Sequence, residues 1–314
     1  MSDDASKIGP VPGLVVVVVN WNGRDLLDDC LGSLRGGYPD LRVIMVDNGS
    51  VDDSVAYCRE RFPWVEIIES PENLRWAGGN NLALRNLCDE GWPDYVLLLN
   101  NDTMVPEGSL SRLVDSLEAE PEAWAATPRI CFAAEPGRIW YDGGKVGQWS
   151  GWIAHRGIRV RAGHRPLEPH ITDYATGCAM LLSRRALETI GLFDECFHLY
   201  GEDTDYSLRL RAAGGTILHQ PKALVLHKVS RTTGAGSPGK AYLKARSHVR
   251  LMGRHWPRRS WPLLIPSQMA LVAATAAWHL WLGRPDTALA SVTGVFDELA
   301  GRPVVSGSSG VTNS

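Results

Sequence analysis

The chain has 314 residues, 44% of them hydrophobic and 21% charged, with 32 Lys and Arg against 35 Asp and Glu. That length suits one large domain or two modest ones with full cores, and a net charge of −3 argues against both a basic nucleic-acid binder and an acidic disordered chain. The odd component is tryptophan, twelve residues against five Phe, an excess that suits stacking on sugars or bases, or a membrane interface.

Residues 14–19 are a continuous apolar run ending at Asn20, which predicts a buried strand, and 26–34 has helical spacing. A second strand is predicted over 42–46, closed by Asp47-Asn48-Gly49-Ser50, and Ser50-x-x-Asp53 reads as a helix start. A third strand over 65–68, a third helix over 78–87 and a fourth strand over 95–99, running into Asn100-Asn101-Asp102, complete the first part. Strands buried on both faces and separated by helices predict an α/β fold with a mostly parallel central sheet. Asn20, Asp47 and residues 100–102 then gather at the carboxyl ends of the strands, where an open parallel sheet has its binding crevice.

From 136 to about 170 the sequence is rich in Gly, Trp and Arg without helical periodicity, which predicts hairpins and loops over the crevice mouth. A strand over 179–182, a helix over 184–190 stopped by Gly191, a helix over 203–213 ended by Gly214 and a strand over 224–226 ending at His227 follow. The expected division is a catalytic domain over 10–253, a helical extension over 254–302 and a disordered Ser/Gly-rich tail over 303–314.

Three places can carry chemistry. Asp102, at a strand terminus, can hold a divalent cation such as Mg²⁺ and leave positions for water and phosphate oxygens; an Asx turn closing the strand explains it equally well. Glu202 and Asp203 precede a helix body and can point from its first turn into the crevice, one of them as a general base, whereas Asp205 reads as a helix-dipole device. His227 ends a strand, a position suited to a metal ligand or phosphate contact, against the background of a satisfied core histidine. Gly234-Ala-Gly-Ser-Pro-Gly-Lys240 imitates a P-loop, but Ala241 stands where Ser or Thr is needed and Pro238 removes an N–H. A Gly-rich flap is the better reading. Six cysteines without CxxC or zinc spacing read as reduced thiols. Acidic residues stand where a signal peptide would carry bases, so the expected address is the cytoplasm.

The segments VVVNWNGRDLLDDCLGSL, VDNGSVDDS, ENLRWAGGNN, LLLNNDT, TGCAMLLSRRALETIGLFDECFHLYGEDTDYSLRLRAAG and ALVLHKVSRTTGAGSP stand in one order, and the chain resembles the family 2 glycosyltransferases with the GT-A fold, in particular their rhamnosyltransferase-like branch. The resemblance covers residues 14 to 250. It implies that Asn20, Trp21 and Asp47 hold the base and ribose of an NDP-sugar donor, with Asn80, Asn81, Asn101 and Arg75 framing the same pocket. It further implies that Asp102 and His227 form the metal site for Mg²⁺ or Mn²⁺, in a motif whose two leading positions are Asn, and that Asp203 is the catalytic base with Glu202 beside it.

Trp140, Trp149 and Trp152 are the expected acceptor platform, or else a packed hairpin. The implied reaction is an inverting, metal-dependent transfer from dTDP-rhamnose, or a UDP- or GDP-hexose, to a hydroxyl of a glycan, lipid-linked glycan or natural product, without nucleic acid as partner. A nucleotidyltransferase and a catalytically silent carbohydrate-binding protein are the alternatives; the first lacks its Gly-rich basic loop after the first strand. Residues 261–283 contain no Asp, Glu, Lys or Arg. They predict a helix packed on the domain, at a homodimer interface or lying peripherally in the membrane surface, in preference to a span.

Overall fold

The computed structural model describes residues 11–229 and 237–304. The chain forms β1 (Leu14–Asn20), α1 (Leu27–Gly37), β2 (Arg42–Asn48), α2 (Ser54–Arg61), β3 (Glu66–Ser70), α3 (Arg75–Glu90), β4 (Tyr95–Asn100), β5 (Thr103–Met104), α4 (Ser109–Ala119) and β6 (Ala123–Phe132). It continues with β7 (Glu135–Tyr141), β8 (Gly144–Val146), β9 (Ile153–His155), β10 (His170–Ile171), β11 (Ala179–Ser183), α5 (Arg184–Ile190), α6 (Glu202–Ala212) and β12 (Thr216–His227). Three helices close it: α7 (Pro238–His255), α8 (Trp261–Trp281) and α9 (Pro285–Leu299).

The main sheet has the order β10-β12-β6-β11-β4-β1-β2-β3, with β5 and β7 attached to β12 and β6. β4-β1-β2-β3 are parallel, as the apolar runs predict, whereas β11 lies antiparallel between β4 and β6 and makes the other half mixed. Side-chain alternation along a strand explains the two-sided burial of β1. Val16 and Val18 enter one apolar cluster with α1 and α4, and Val15 and Val17 enter the other with α3 and α5.

Strand β12 is far longer than residues 224–226 because it continues across a register shift between Gln220 and Leu224. Pro221 and Lys222 interrupt the apolar pattern there, so the sequence shows only its last part. Residues 144–155 form a small separate hairpin, β8 and β9, whereas β7 and β10 at the two ends of the same Gly- and Trp-rich stretch pair with β6 and β12 of the main sheet.

Helix α7 packs on α9 through Arg246 and Arg250, both paired with Glu298, and through Tyr242, whose hydroxyl donates to Asp297. Of the expected flap at 234–240, residues 234–236 lie outside the described residues, and 237–240 are a helix start, where Ser237 caps α7 by accepting from the Lys240 N–H. Of the expected tail, residues 305–314 are likewise outside them.

Candidate functional site

The loops after β1 and β2 clasp each other. The Asn22 N–H donates to Ser50 Oγ at 2.9 Å and the Val51 N–H to Asn22 Oδ1 at 2.8 Å. The fully buried Asn20 accepts from Asn101 Nδ2 at 2.8 Å, joining the ends of β1 and β4. Gly23 makes this pair possible, since a Cβ there would stand 2.3 Å from Asn101 Nδ2 and 2.5 Å from Asn20 Oδ1. Asp47 accepts from the Ser50 N–H through Oδ2, while its buried Oδ1 has no hydrogen-bond partner among the described residues. A carboxylate oxygen buried in this state is incomplete without a donor from elsewhere.

Just past the same end of β4, Asp102 Oδ1 lies 3.1 Å from His227 Nε2, both groups buried. Burial pulls the His227 pKa down, but Cys178 and the Asp102 carboxylate outweigh burial and raise it to about 10. A cation ligated by this pair would need His227 neutral, so it would take the place of the His227 proton. Two neighbouring ligands at about 2.1 Å from an octahedral cation are roughly 3.0 Å apart, so this pair fits a divalent ion, and the mixed oxygen and nitrogen set suits Mn²⁺ at least as well as Mg²⁺. Trp140 sets its ring edge-on to His227 at 4.6 Å, and the Trp76 indole donates to Asn100 Oδ1 at 3.1 Å.

Glu202 and Asp203 open α6. Asp203 is held through both oxygens: Oδ2 accepts from the Gly177 N–H at 2.9 Å, and Oδ1 from the N–H and hydroxyl of Thr204. Burial raises its pKa, and these donors hold the rise back. Glu202 Oε2 is buried with no such donor, and burial followed by the Asp203 charge raises its pKa to about 8. The two carboxyls cannot both ionise at neutral pH. The proton belongs on Glu202, and the hydrogen-bonded Asp203 is the ionised member.

The turn at 176–178 links the two groups. Gly177 donates to Asp203, the Cys178 carbonyl accepts from the Asn100 N–H, and the Cys178 side chain acts electrostatically on His227. TGC stands among the quoted segments, but nothing in its chemistry singled it out.

Several expected site residues are placed differently. Asn81 is turned to the 193–195 loop, donating to the Phe193 carbonyl and Glu195 and accepting from the Phe193 N–H, so its amide is fully engaged away from the crevice. Adjacent helical positions point about 100° apart, which is why Asn80 and Asn81 cannot both face one pocket; Asn80 bonds back to the Trp76 carbonyl. Arg75 opens α3 with a left-handed φ of 64°, its N–H bonded to Asn73, and its charge acts on His198. Trp21 is half-buried beside the Asn20–Asn101 pair.

Trp140 is half-buried against His227 at the rim of the Asp102–His227 pair, whereas Trp149 and Trp152 are 59% and 55% exposed. Asp205, as expected, is structural: it binds Arg209, and it reaches His255 at 2.8 Å, tying α6 to α7. Lys240, the last residue of the P-loop imitation, and Lys244 both lie on α7 with their ammonium groups 5.8 and 5.1 Å from the Tyr200 ring; nothing in the sequence singles out Lys244.

The excursion over the mouth is pinned by a buried network. Asp142 binds Arg129 Nε and Arg165 Nε, each at 2.7 Å, and His219 Nε2 at 3.0 Å. Next to it His155 is enclosed by Trp140, Tyr141 and Tyr174. Burial, followed by the charges of Lys244 and His227, lowers its pKa to about 4. Between pH 6.5 and 4 the unfolded chain therefore binds a proton that the folded chain refuses, so stability is complete above this window and falls as pH falls through it. The loss should reach about 3 kcal/mol at most, and a Tm series over this range with His155→Phe as control should show a flatter slope in the variant. An unchanged slope would remove His155 from the account.

Comparison with known proteins gives the following. Residues 15–191 match the profile described as "Glycosyl transferase family 2". The chain is 28% identical over 246 residues to the N-acetylglucosaminyl-diphospho-decaprenol L-rhamnosyltransferase of Mycobacterium tuberculosis, covering 70% of this chain and 78% of that protein. It is 30% identical over 221 residues to the pre-mycofactocin glycosyltransferase of the same organism, covering 68% of this chain but 42% of that protein. Among solved structures, the mannosyltransferase PcManGT from Pyrobaculum calidifontis, in complex with GDP-Man and Mn²⁺, has a TM-score of 0.58 at 18% identity, over 96% of this chain and 91% of that one. GalNAc-T7 with UDP, GalNAc and Mn²⁺ has a TM-score of 0.59 at 17% identity, over 76% of this chain and 47% of that one.

Proposed function

The chain belongs to glycosyltransferase family 2 and is a glycosyltransferase with a GT-A fold, and from this premise we propose an inverting, cation-assisted transfer from an NDP-sugar to an acceptor hydroxyl. The observation that carries the reading is the turn at 176–178, whose Gly177 N–H holds Asp203 on one side and whose Cys178 acts on the Asp102–His227 pair on the other. A base for the acceptor and a cation position for the leaving group are what a single displacement requires.

Asp203 accepts the proton of the acceptor hydroxyl. The oxygen so freed forms its bond to the anomeric carbon from one face while the bond to the diphosphate oxygen breaks on the other, the diphosphate leaving with the electron pair. Glu202, protonated, adds no second negative charge beside the attacking oxygen. Asp47 Oδ1 accepts from a base N–H, and the Asn20–Asn101 pair supports the ribose side. Because proton acceptance helps only when the hydroxyl is held in line, much of the rate comes from positioning, to which Trp140 contributes at the rim. Asp102 and His227 would hold a divalent cation, which would supply charge neutralisation for the departing diphosphate. With one carboxylate and two Asn in residues 100–102, the protein contributes few of the ligands.

A dTDP-rhamnose-like donor and a lipid-linked acceptor are favoured by the name of the rhamnosyltransferase relative. Free thiols at all six cysteines suit the cytoplasm. The test is a thermal-shift panel of dTDP-, UDP- and GDP-sugars with Mn²⁺. The true donor at a hundred times its Kd should add about 2.7 kcal/mol, and EDTA should remove most of that shift. No stabilisation by any donor would sink the assignment, and a shift indifferent to EDTA would remove the cation from it.

A further inference from the structure

Helix α8 is built inside out. Residues Arg258–Trp281 form the one helical stretch among the described residues long and apolar enough to cross a membrane, yet only 6% of its most apolar window is buried. Trp261, Leu263, Ile265, Met269, Trp278 and Trp281 are all exposed, between 39% and 74%. The polar side chains instead face the protein: Ser267 and Gln268 donate to the Ser150 carbonyl, and Gln268 also meets His248. At 100° per residue the exposed apolar positions cover roughly two thirds of the helix circumference. Water does not reward that arrangement, and an apolar phase does.

The same helix joins the crevice mouth. Gly151, with φ of 70°, sits so close to it that a Cβ would lie 2.5 Å from Met252 Sδ and 2.7 Å from Leu264 Cδ1. Trp149 and Trp152, exposed on either side of Ser150 and Gly151, add two aromatic rings beside α8 on the loop that leads into β9, whose His155 lies against Trp140. Charge agrees: between Asp205 and Asp286 the chain has no acidic residue and thirteen Lys or Arg. Of these, Arg258 and Arg259 stand exposed at the start of α8 with no ion pair among the described residues.

We propose that the outer face of α8, together with Trp149 and Trp152, seats in the surface of an anionic bilayer, with the helix along the membrane and the crevice mouth turned toward it. Aromatic residues at both ends of the helix and a basic start suit the interfacial position. A second copy of the chain fits worse, because one rigid partner surface covers a single stripe of a helix, whereas a fluid interface can follow the whole outer face left by the contacts of Ser267 and Gln268. A span fits worse too. α9 doubles back on α8 and packs on α7, so both ends of α8 return to the same side of the domain, and Gly294 lies against the Tyr242 carbonyl.

The proposal rests on the glycosyltransferase reading only for what the lipid would present, a lipid-linked acceptor. The experiment therefore reads binding without turnover. The full chain is sedimented with phosphatidylcholine vesicles, with and without phosphatidylglycerol, at low and high salt. Wild type should pellet with the anionic vesicles and less so at high salt. Met269→Glu with Trp278→Glu should reduce partition by about tenfold or more at unchanged Tm, and Arg258→Ser or Arg259→Ser by about fivefold each. Failure of the wild-type chain to bind anionic vesicles at low salt overturns the proposal. So does retention in the membrane after alkaline carbonate, which means a span, or a dimer in sedimentation equilibrium that Met269→Glu dissociates, which means a second copy.

Discussion

Asp203→Asn should abolish most transfer, by roughly 10²–10⁴-fold in kcat, while nucleotide affinity stays within a few-fold. The substitution keeps the shape but removes the proton acceptor, and it sets an amide N–H against either the Gly177 or the Thr204 N–H, so a Tm measurement must accompany the kinetics. Glu202→Gln is the contrasting experiment. A glutamine reproduces the neutral carboxyl that a pKa of about 8 already imposes on Glu202 at neutral pH, so this variant should lose under about tenfold. It should also lose the part of the rate–pH profile that follows Glu202 above neutrality. If Glu202→Gln proves the more damaging of the two, the base is Glu202 and the roles are exchanged.

The largest stability effect is expected at Asp142→Ala. Its carboxylate is 1% exposed and serves Arg129, itself 4% exposed, as well as Arg165 and His219. Removing it leaves a buried guanidinium without its counter-charge, which costs about 3–5 kcal/mol. Tm should fall by several degrees, and proteolysis should begin within residues 136–170, because that excursion is what the network pins. Asp142→Leu with Arg129→Met, which removes both charges, should recover much of the loss. If the double variant is no better than Asp142→Ala, charge pairing is not what holds the excursion.

The strand ends that build the crevice were legible because each is an apolar run closed by Asn or Asp: Val19 before Asn20, Val46 before Asp47, Leu99 before Asn100. His227 was legible for the same reason, although most of its strand was hidden by Pro221 and Lys222. Helix α4 and strand β6 carried no chemistry-bearing residue at a conspicuous end and drew no notice. The Asp142 network could not be read in advance, since Arg129, Arg165 and His219 come from separate elements and only the fold brings them to one carboxylate. The division of labour between Glu202 and Asp203 was equally invisible: it depends on three donors from Gly177 and Thr204 that serve one carboxyl and not its neighbour.

The contact between Gly151 and the helices behind it bears on inheritance and engineering. Because Met252, Leu264 and Gln268 all crowd the place where a Cβ would be, a chimera that takes its C-terminal helices from a relative must take the turn at residues 147–152 along with them. A chain shortened after Gly253 would lose Leu264 and Gln268 from that contact. Helix α8 is therefore part of the unit that recombination or design has to move whole, and the loop beside the reacting groups travels with it.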